Sequence, residues 1–179
     1  KRTWRLSLRI RITSMALTQV INDGLAHSGL PAGTVLQVVK SAVRTSASDT
    51  TTTSMAEISS DYRVTITPKA ADSIMVIDFT YGFSVDGTTK IGVQCKVGTN
   101  SDFSTGMDAV HSVSHDEVVR NETSSRLQFR GSLRSYYDAY SSTATLYFRH
   151  DFNRPAGSGT ARIMDNQGAA FVTVTEIQQ

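Results

Sequence analysis

Apolar and polar residues alternate at every second position through much of this sequence, and no other pattern limits its fold so strongly. Tyr62, Val64 and Ile66, for example, alternate with polar neighbours. Successive side chains of a β-strand point to opposite faces, so this period predicts strands with one buried face each. An amphipathic helix would repeat about every 3.6 residues, and no long window of the sequence does so.

The alternating segments and the turn residues between them predict about eight strands. Such a series is typical of an all-β protein, an antiparallel β-sandwich or jelly roll. We expect the sandwich domain over residues 33–179, after an extended basic N-terminal β arm and linker over residues 1–32. The predicted strands are residues 35–39, 62–66, 74–85, 91–97, 127–130, 144–148, 161–164 and 170–177.

The segment 73–97 carries the clearest local signal. Asp86-Gly87 is a tight-turn dipeptide between two alternating runs, which predicts a β-hairpin. The first run, 74–85, is apolar on both faces, which is typical of a strand that is covered on both sides. The Ser- and Thr-rich stretch 46–54 is predicted as a loop or an edge strand.

Composition excludes several classes of protein. Only 19% of the residues are charged, and about a quarter are Ser or Thr, which excludes a coiled coil. No apolar run reaches the length of about 18 residues that a membrane-spanning helix needs. Cys95 is the single cysteine, so the chain has neither an internal disulfide framework nor a cysteine-based zinc finger. Because Cys95 lies at an apolar strand position, we expect a buried side chain rather than a nucleophile.

The N-terminal arm combines an apolar face with a basic face. The first 14 residues hold five basic side chains and no acidic one. Such an arm could contact nucleic acid, a membrane surface or an acidic protein surface. A lone amphipathic strand is unstable in water, so we expect this one to pair with a sheet edge, in its own subunit or in another. The predicted assembly contact is its apolar face, Trp4, Leu6, Leu8, Ile10 and Ile12.

Motifs for nucleotide binding, metalloprotease chemistry or acyl transfer are absent from the sequence, and we expect no cofactor. His111 and His115 would share one face of a strand and could approach one zinc or iron ion. A cupin-like metal enzyme is therefore an alternative, although the spacing matches no known metal motif. Asn121-Glu-Thr123 matches a glycosylation acceptor, but nothing marks the chain as secreted.

A cluster of tyrosines is the main candidate for ligand recognition. It lies in what is predicted as a polar stretch between strands. Tyrosine rings stack on sugars or proteins while their hydroxyls form hydrogen bonds, which favours a glycan or partner contact. Alternatively, two of the three tyrosines cap the sandwich. The candidate residues are Arg134, Tyr136, Tyr137 and Tyr140.

Three segments resemble a module of bacteriophage virion proteins, especially tail fibres and small structural proteins of phages from aquatic bacteria. They are Gly33-Thr-Val-Leu-Gln-Val-Val39, then Tyr62-Arg-Val-Thr-Ile-Thr-Pro-Lys69 with Ser73-Ile-Met-Val76, and finally Val172-Thr-Val-Thr-Glu-Ile177. The resemblance implies a β-sandwich that trimerises on the virion surface and performs no catalysis. It assigns a role to no individual residue.

Together these observations predict a non-enzymatic structural protein of a phage virion surface, a head decoration or a tail fibre component. Its expected partners are further copies of itself, in a homotrimer, and other capsid or tail proteins, to which the N-terminal arm anchors it. The main alternative is a carbohydrate-binding module that recognises a host-cell receptor.

Overall fold

A computed structural model describes residues 30–110, 119–121, 125–138, 142–163 and 168–179. These ranges contain twelve strands and one 3-10 turn, Ser60–Tyr62. The strands are β1 (Val35–Lys40), β2 (Ser48–Thr50), β3 (Ala56–Glu57), β4 (Val64–Ile66), β5 (Ile74–Val85), β6 (Lys90–Gly98), β7 (Asp108–Ala109), β8 (Val119–Arg120), β9 (Leu127–Asp138), β10 (Leu146–Asn153), β11 (Ala161–Ile163) and β12 (Phe171–Ile177).

The first sheet is built around β5, which pairs along both edges. One edge pairs with β9 over its whole length. The other pairs first with β12, along 74–80, and then with β11, along 83–85. β1 lies outside β12 and β2 lies outside β11, so the sheet has six strands, all antiparallel to their neighbours.

The second sheet has β10 and β6 at its centre. These two strands pair over seven residues of each. The other edge of β10 pairs with β4 and then with β3, while the other edge of β6 pairs with β7 and β8. Every pairing is antiparallel, which confirms the predicted all-β class.

The core lies between the two sheets and is made of the predicted alternating positions. β5 contributes Met75, Ile77, Phe79, Tyr81 and Phe83, which are at most 2% exposed. Facing them, β6 contributes Ile91, Val93, Cys95 and Val97. The two sheets therefore form an antiparallel β-sandwich, consistent with a jelly roll, as predicted.

Aromatic rings join the two layers near the middle of the core. The Phe79 ring centroid lies 5.0 Å from that of Tyr62 and 4.6 Å from that of His150. Tyr62 precedes β4 and His150 lies in β10, so one side chain of the first sheet contacts two elements of the second layer. Such tilted ring contacts stabilise the core beyond the area that they bury.

The predicted hairpin over 73–97 is wrong. Asp86-Gly87 does form a tight turn, with Gly87 at φ +63°, but β5 and β6 belong to different sheets. The edges of β5 are taken by β9, β11 and β12, and those of β6 by β7, β8 and β10. The turn is thus an arch between the layers, and the apolar faces of the two strands meet across the core.

Two other predictions differ from the structure. β9 continues to Asp138, so the segment that holds Tyr136 and Tyr137 is a strand rather than a polar stretch between strands. The strands also outnumber the predicted eight or so, because several have only two or three residues and are too short to show alternation. Where the structure describes the chain, no helix is long and apolar enough to cross a membrane.

Candidate functional site

The outer face of the first sheet carries a row of four side chains, one on each of four strands, and three of them are apolar. Val76 of β5 lies opposite Tyr136 of β9 on one side and Thr175 of β12 on the other. Thr175 in turn lies opposite Val38 of β1. Tyr136 is 55% exposed and Val38 is 57% exposed, so both ends of this row are open to solvent.

A second apolar row runs beside the first, one step nearer the end of the strands. Ile74 of β5 pairs with Ile177 of β12, and Ile177 pairs with Val35 of β1. Val35 is 54% exposed. We call the apolar members of these two rows the outer patch; three of them are exposed and the other three half-buried. They are Val35, Val38 and Tyr136, and Ile74, Val76 and Ile177.

Charged residues border the outer patch. Arg134 binds Asp78 through two hydrogen bonds, with Nε–Oδ1 and Nη2–Oδ2 distances of 2.7 and 3.1 Å. The Asp78 carboxylate raises the pKa of the Arg134 guanidinium further, and the neighbouring Tyr136 side chain adds a smaller effect in the same direction. At the β9 end of the second row, Asp138 is exposed and lies opposite Ile74. Exposed apolar surface with a polar rim is typical of an interaction site.

The chain reaches this face beside the outer patch. The backbone N–H of Gly33 donates to the carbonyl oxygen of Gln178, at 2.7 Å, and Gln178 N–H donates to the carbonyl oxygen of Thr34, at 2.9 Å. These bonds fix the segment before β1 to the end of β12. Residues 1–29 therefore join the described structure next to Val35 and Ile177 of the patch.

The structure separates the predicted tyrosine cluster into two faces. Arg134 and Tyr136 lie two residues apart and share the outer face of β9. Tyr137 points the other way, and its ring meets Phe148 edge-on, with centroids 6.1 Å apart. Tyr140 lies outside the described residues, so its place in a glycan or partner contact stays a prediction.

A pocket opens beside the C-terminal end of β9, with β6, β7 and the start of β10 on its other side. Its volume is about 730 Å³, within the range of small-ligand sites. Tyr136, Tyr137 and Asp138 line one side. Residues of the segments 97–110 and 142–146, both polar and apolar, line the other, and among them are Asp108 and Ser142. We call this cavity the end pocket. Aromatic rings beside carboxylates and hydroxyls are groups that suit a sugar.

The wall of the end pocket depends on close backbone packing. A Cβ atom at Gly98 would lie 2.7 Å from the carbonyl oxygen of Gly106, so only glycine fits there. Asp102 holds the intervening loop by accepting hydrogen bonds from the N–H groups of Ser104 and Thr105, at 2.9 and 3.1 Å. These bonds lower the pKa of Asp102 to about 2. The loop is thus held by hydrogen bonds between its own residues.

Several predicted site residues cannot be placed. The assembly contact Trp4, Leu6, Leu8, Ile10 and Ile12 lies outside the described residues, as do His111 and His115, so both remain predictions. In the ranges that the structure describes, no group of three or more His, Cys, Asp or Glu side chains could hold a metal ion. Asn121 of the glycosylation motif is only 4% exposed, and its amide donates to the carbonyl oxygen of Val85, at 3.3 Å.

Two titratable side chains face each other deep in the core. Cys95 of β6 and His150 of β10 are register partners, and both are fully buried. Burial lowers the pKa of His150 to about 3 and raises the pKa of the Cys95 thiol. Both are therefore neutral in the folded protein, and Cys95 is the buried apolar side chain that was predicted.

A buried ion cluster lies on the opposite face of the same strands. Asp151 is fully buried and binds Lys96 at 3.0 Å and Arg149 at 2.9 Å. Arg149 also donates to the carbonyl oxygen of Phe103. The cluster fastens the 98–107 loop to β6 and β10, so these charges have a structural role.

The outer patch is not predicted from the sequence, although the sequence contains one signal for it. Apolar residues on both faces of 74–85 predicted that the second face of this strand is covered. Only the strand register shows that Ile74 and Val76 continue into β12 and β1. A pattern along one strand cannot reveal which side chains adjoin it from distant parts of the chain.

No protein-family model matches the sequence, and no curated protein matches it either. Among solved structures, the chain is similar to one in the structure of infectious bursal disease virus, Gx strain, with 10% sequence identity and a TM-score of 0.42. The similarity covers 79% of this chain and 32% of the viral chain, so this chain spans about a third of the length of that one. At this distance the similarity assigns no function to the chain.

Proposed function

We propose that this protein is a non-enzymatic structural component of a phage virion surface, a homotrimeric head decoration or fibre protein. In this role the N-terminal arm anchors the sandwich to neighbouring subunits and to other capsid or tail proteins. The observation that carries the proposal is the outer patch, an exposed apolar surface next to the point where the arm joins the sandwich. Exposed apolar surface of this kind is used for assembly contacts.

The segments that resemble phage virion proteins are neighbours in the fold, which supports the proposal. The first forms β1 and the last forms β12, and these two strands pair. β12 pairs in turn with β5, whose start belongs to the middle segment. The side chain of Gln37 also donates to the carbonyl oxygen of Thr67, at 2.7 Å. The segments on which the resemblance is based therefore lie together in the sandwich, in the part that carries most of the outer patch.

Deletion of residues 1–14 tests this function. We expect the truncated protein to fold, with an unchanged far-ultraviolet circular dichroism spectrum, but to be lost from assembled particles. Light scattering on the full chain should give the mass of about three copies, and the truncated chain should give less. A truncated protein that enters particles normally would refute the anchoring role.

Point substitutions in the arm distinguish the contribution of its apolar face from that of its basic face. Leu8→Asp places a charge on the predicted apolar face, and we expect it to prevent incorporation into particles. Ser7→Asp is the matched control, because residue 7 lies on the opposite face of the predicted strand. Equal loss of incorporation in both variants would mean that charge, rather than the apolar face, determines the contact.

A second candidate function is recognition of a host-cell glycan at the end pocket. It is favoured by the 55% exposure of Tyr136 at a pocket that Asp138 also lines. Glycan-array binding by the full chain should disappear in Tyr136→Ala. It should persist in Leu127→Ala, which truncates another exposed side chain at the far end of β9. Absence of binding by the unmodified protein would remove this candidate.

A further inference from the structure

We propose that the outer patch is the receiving surface for the N-terminal arm of a second copy of this chain. In this contact the apolar side chains of residues 4–12 pack on Val38, Val76 and their neighbours. The inference rests on the proposed assembly function and names the partner surface of the arm.

The first observation is the place where the arm joins the sandwich. Residues 1–29 join the described structure at Leu30, and the following turn is bonded to the end of β12. Ile177 and Val35, which lie at that end, are members of the outer patch. The arm therefore starts at the border of an exposed apolar surface.

The length of the arm allows it to reach a neighbour. Residues 13–29 connect the predicted arm strand to Leu30, and an extended chain spans about 3.3 Å per residue, or roughly 55 Å over this linker. Four adjacent strands span only about 14 Å, at about 4.8 Å between neighbours. A linker of this length is therefore long enough to reach beyond the patch of its own subunit and to place the strand on the patch of an adjoining one.

The chemistry of the two surfaces matches. The arm presents five apolar side chains at every second position, and the patch presents apolar side chains in two adjacent rows, the first of which is interrupted by Thr175. The N–H and C=O groups of a strand point sideways, so they stay hydrated when its apolar face lies on a sheet. Arg5, Arg9 and Arg11 alternate with these apolar residues, so in the proposed contact they would point away from the patch and stay in solvent.

The single tryptophan provides a probe that needs no label. Trp4 is the only tryptophan of the chain and belongs to the apolar face of the arm. We expect Trp4 fluorescence in the full-length protein to be blue-shifted and several-fold less quenched by acrylamide than in the urea-unfolded chain. On dilution the shielding should be lost together with the oligomeric mass measured by light scattering.

A matched pair of substitutions tests the patch. Val38→Asp places a charge in its first row and should expose Trp4 to acrylamide and lower the mass to that of one chain. Val43→Asp is the control, because Val43 is similarly exposed, at 50%, but lies beyond the other end of β1. Val43→Asp should leave the quenching of Trp4 and the oligomeric mass unchanged. Both variants should keep the circular dichroism spectrum of the unmodified protein.

Three results would overturn the inference. If acrylamide quenched Trp4 fluorescence as strongly in the unmodified protein as in the unfolded chain, the arm would not dock on the sandwich. The anchoring role is tested separately, by incorporation of the truncated chain into particles. Shielding that persists at the mass of one chain would place the arm on its own subunit. Equal effects of Val38→Asp and Val43→Asp would exclude the outer patch as the receiving surface.

Discussion

The side-chain amide of Gln37 donates a hydrogen bond to the fully buried carboxylate of Glu176, with 2.6 Å between Nε2 and Oε2. The second oxygen, Oε1, accepts from the backbone N–H of Lys69 at 2.7 Å and from the hydroxyl of Ser73 at 2.8 Å. One carboxylate therefore joins β1, β12 and the turn before β5. These are the elements that carry most of the outer patch.

Removal of this carboxylate should destabilise the sandwich strongly. Glu176→Ala leaves several buried donors without an acceptor, and we expect the free energy of unfolding to fall by about 3 kcal/mol or more. Glu176→Gln keeps the size of the side chain and one acceptor oxygen, so its loss should be smaller. Urea unfolding followed by circular dichroism measures both.

Glu57→Gln is the control for this effect. Glu57 binds Arg63 at 2.6 Å, but both side chains are partly exposed, so the expected loss is about 1 kcal/mol or less. If Glu176→Ala were no more costly than Glu57→Gln, the Glu176 network would not hold these elements together.

Acid should weaken the fold through His150. Its pKa is about 3 in the folded protein because of burial, and about 6.5 in an unfolded chain. Between these values the unfolded chain binds a proton that the folded protein does not, so stability falls as the pH drops from about 6.5 toward 3. For one such group, the free energy of unfolding falls by about 1.4 kcal/mol for each pH unit inside this window.

His150→Leu removes this contribution. We expect the free energy of unfolding of the variant to depend less steeply on pH than that of the unmodified protein between about pH 6 and pH 4. Above pH 7.5 His150 is neutral in both the folded and the unfolded protein. The stability profiles of the variant and of the unmodified protein should therefore run parallel there. Parallel profiles throughout the acid range would contradict the burial of a neutral imidazole.

Alanine should be tolerated at Gly87, in the arch between the sheets, but not at Gly159, in the loop between β10 and β11 that packs against the arch. A Cβ atom at Gly159 would lie 1.8 Å from the carbonyl oxygen of Asp86, whereas one at Gly87 would meet nothing within 4 Å. We expect Gly159→Ala to cost roughly 3 kcal/mol, because the backbone must move apart. Gly87→Ala should cost only about 1–2 kcal/mol for its left-handed conformation. Thermal unfolding compares the two, and equal costs would contradict the contact at Gly159.

The thiol of Cys95 should report on the integrity of the core. Burial raises its pKa, so in the native protein it is both inaccessible and protonated. We expect no reaction with an aromatic disulfide reagent at pH 8 in buffer and complete reaction in denaturing urea. Rapid modification of the native protein would mean that β6 opens readily from the sheet.

The position of the strands could be predicted because burial on one face imposes a period of two. β5 begins and ends at Ile74 and Val85, as predicted, and β4 falls within the predicted run that ends at Ile66. Strand partners could not be predicted in the same way. The turn at Asp86-Gly87 suits a hairpin or an arch equally, and the choice depends on which strands occupy the edges of β5 and β6.

The candidate site was less predictable than the fold. The opposite orientations of Tyr136 and Tyr137 follow from the parity of β9, but the sequence places this segment between strands. Glu176 alternates with threonines near the end of β12, and no local signal shows that its partners come from residues more than 100 positions away. Long-range register, rather than composition, creates both the outer patch and its support.

The central position of β5 has a consequence for biosynthesis. Its three sheet partners, β9, β11 and β12, all follow it in the chain, and β12 also separates it from β1. A ribosome-bound polypeptide that ends before residue 171 cannot close this sheet, and it leaves the strongly apolar β5 without one of its neighbours. Productive folding thus waits until β12 has left the exit tunnel, and loop-closure entropy makes it slow compared with that of a helical protein of equal size.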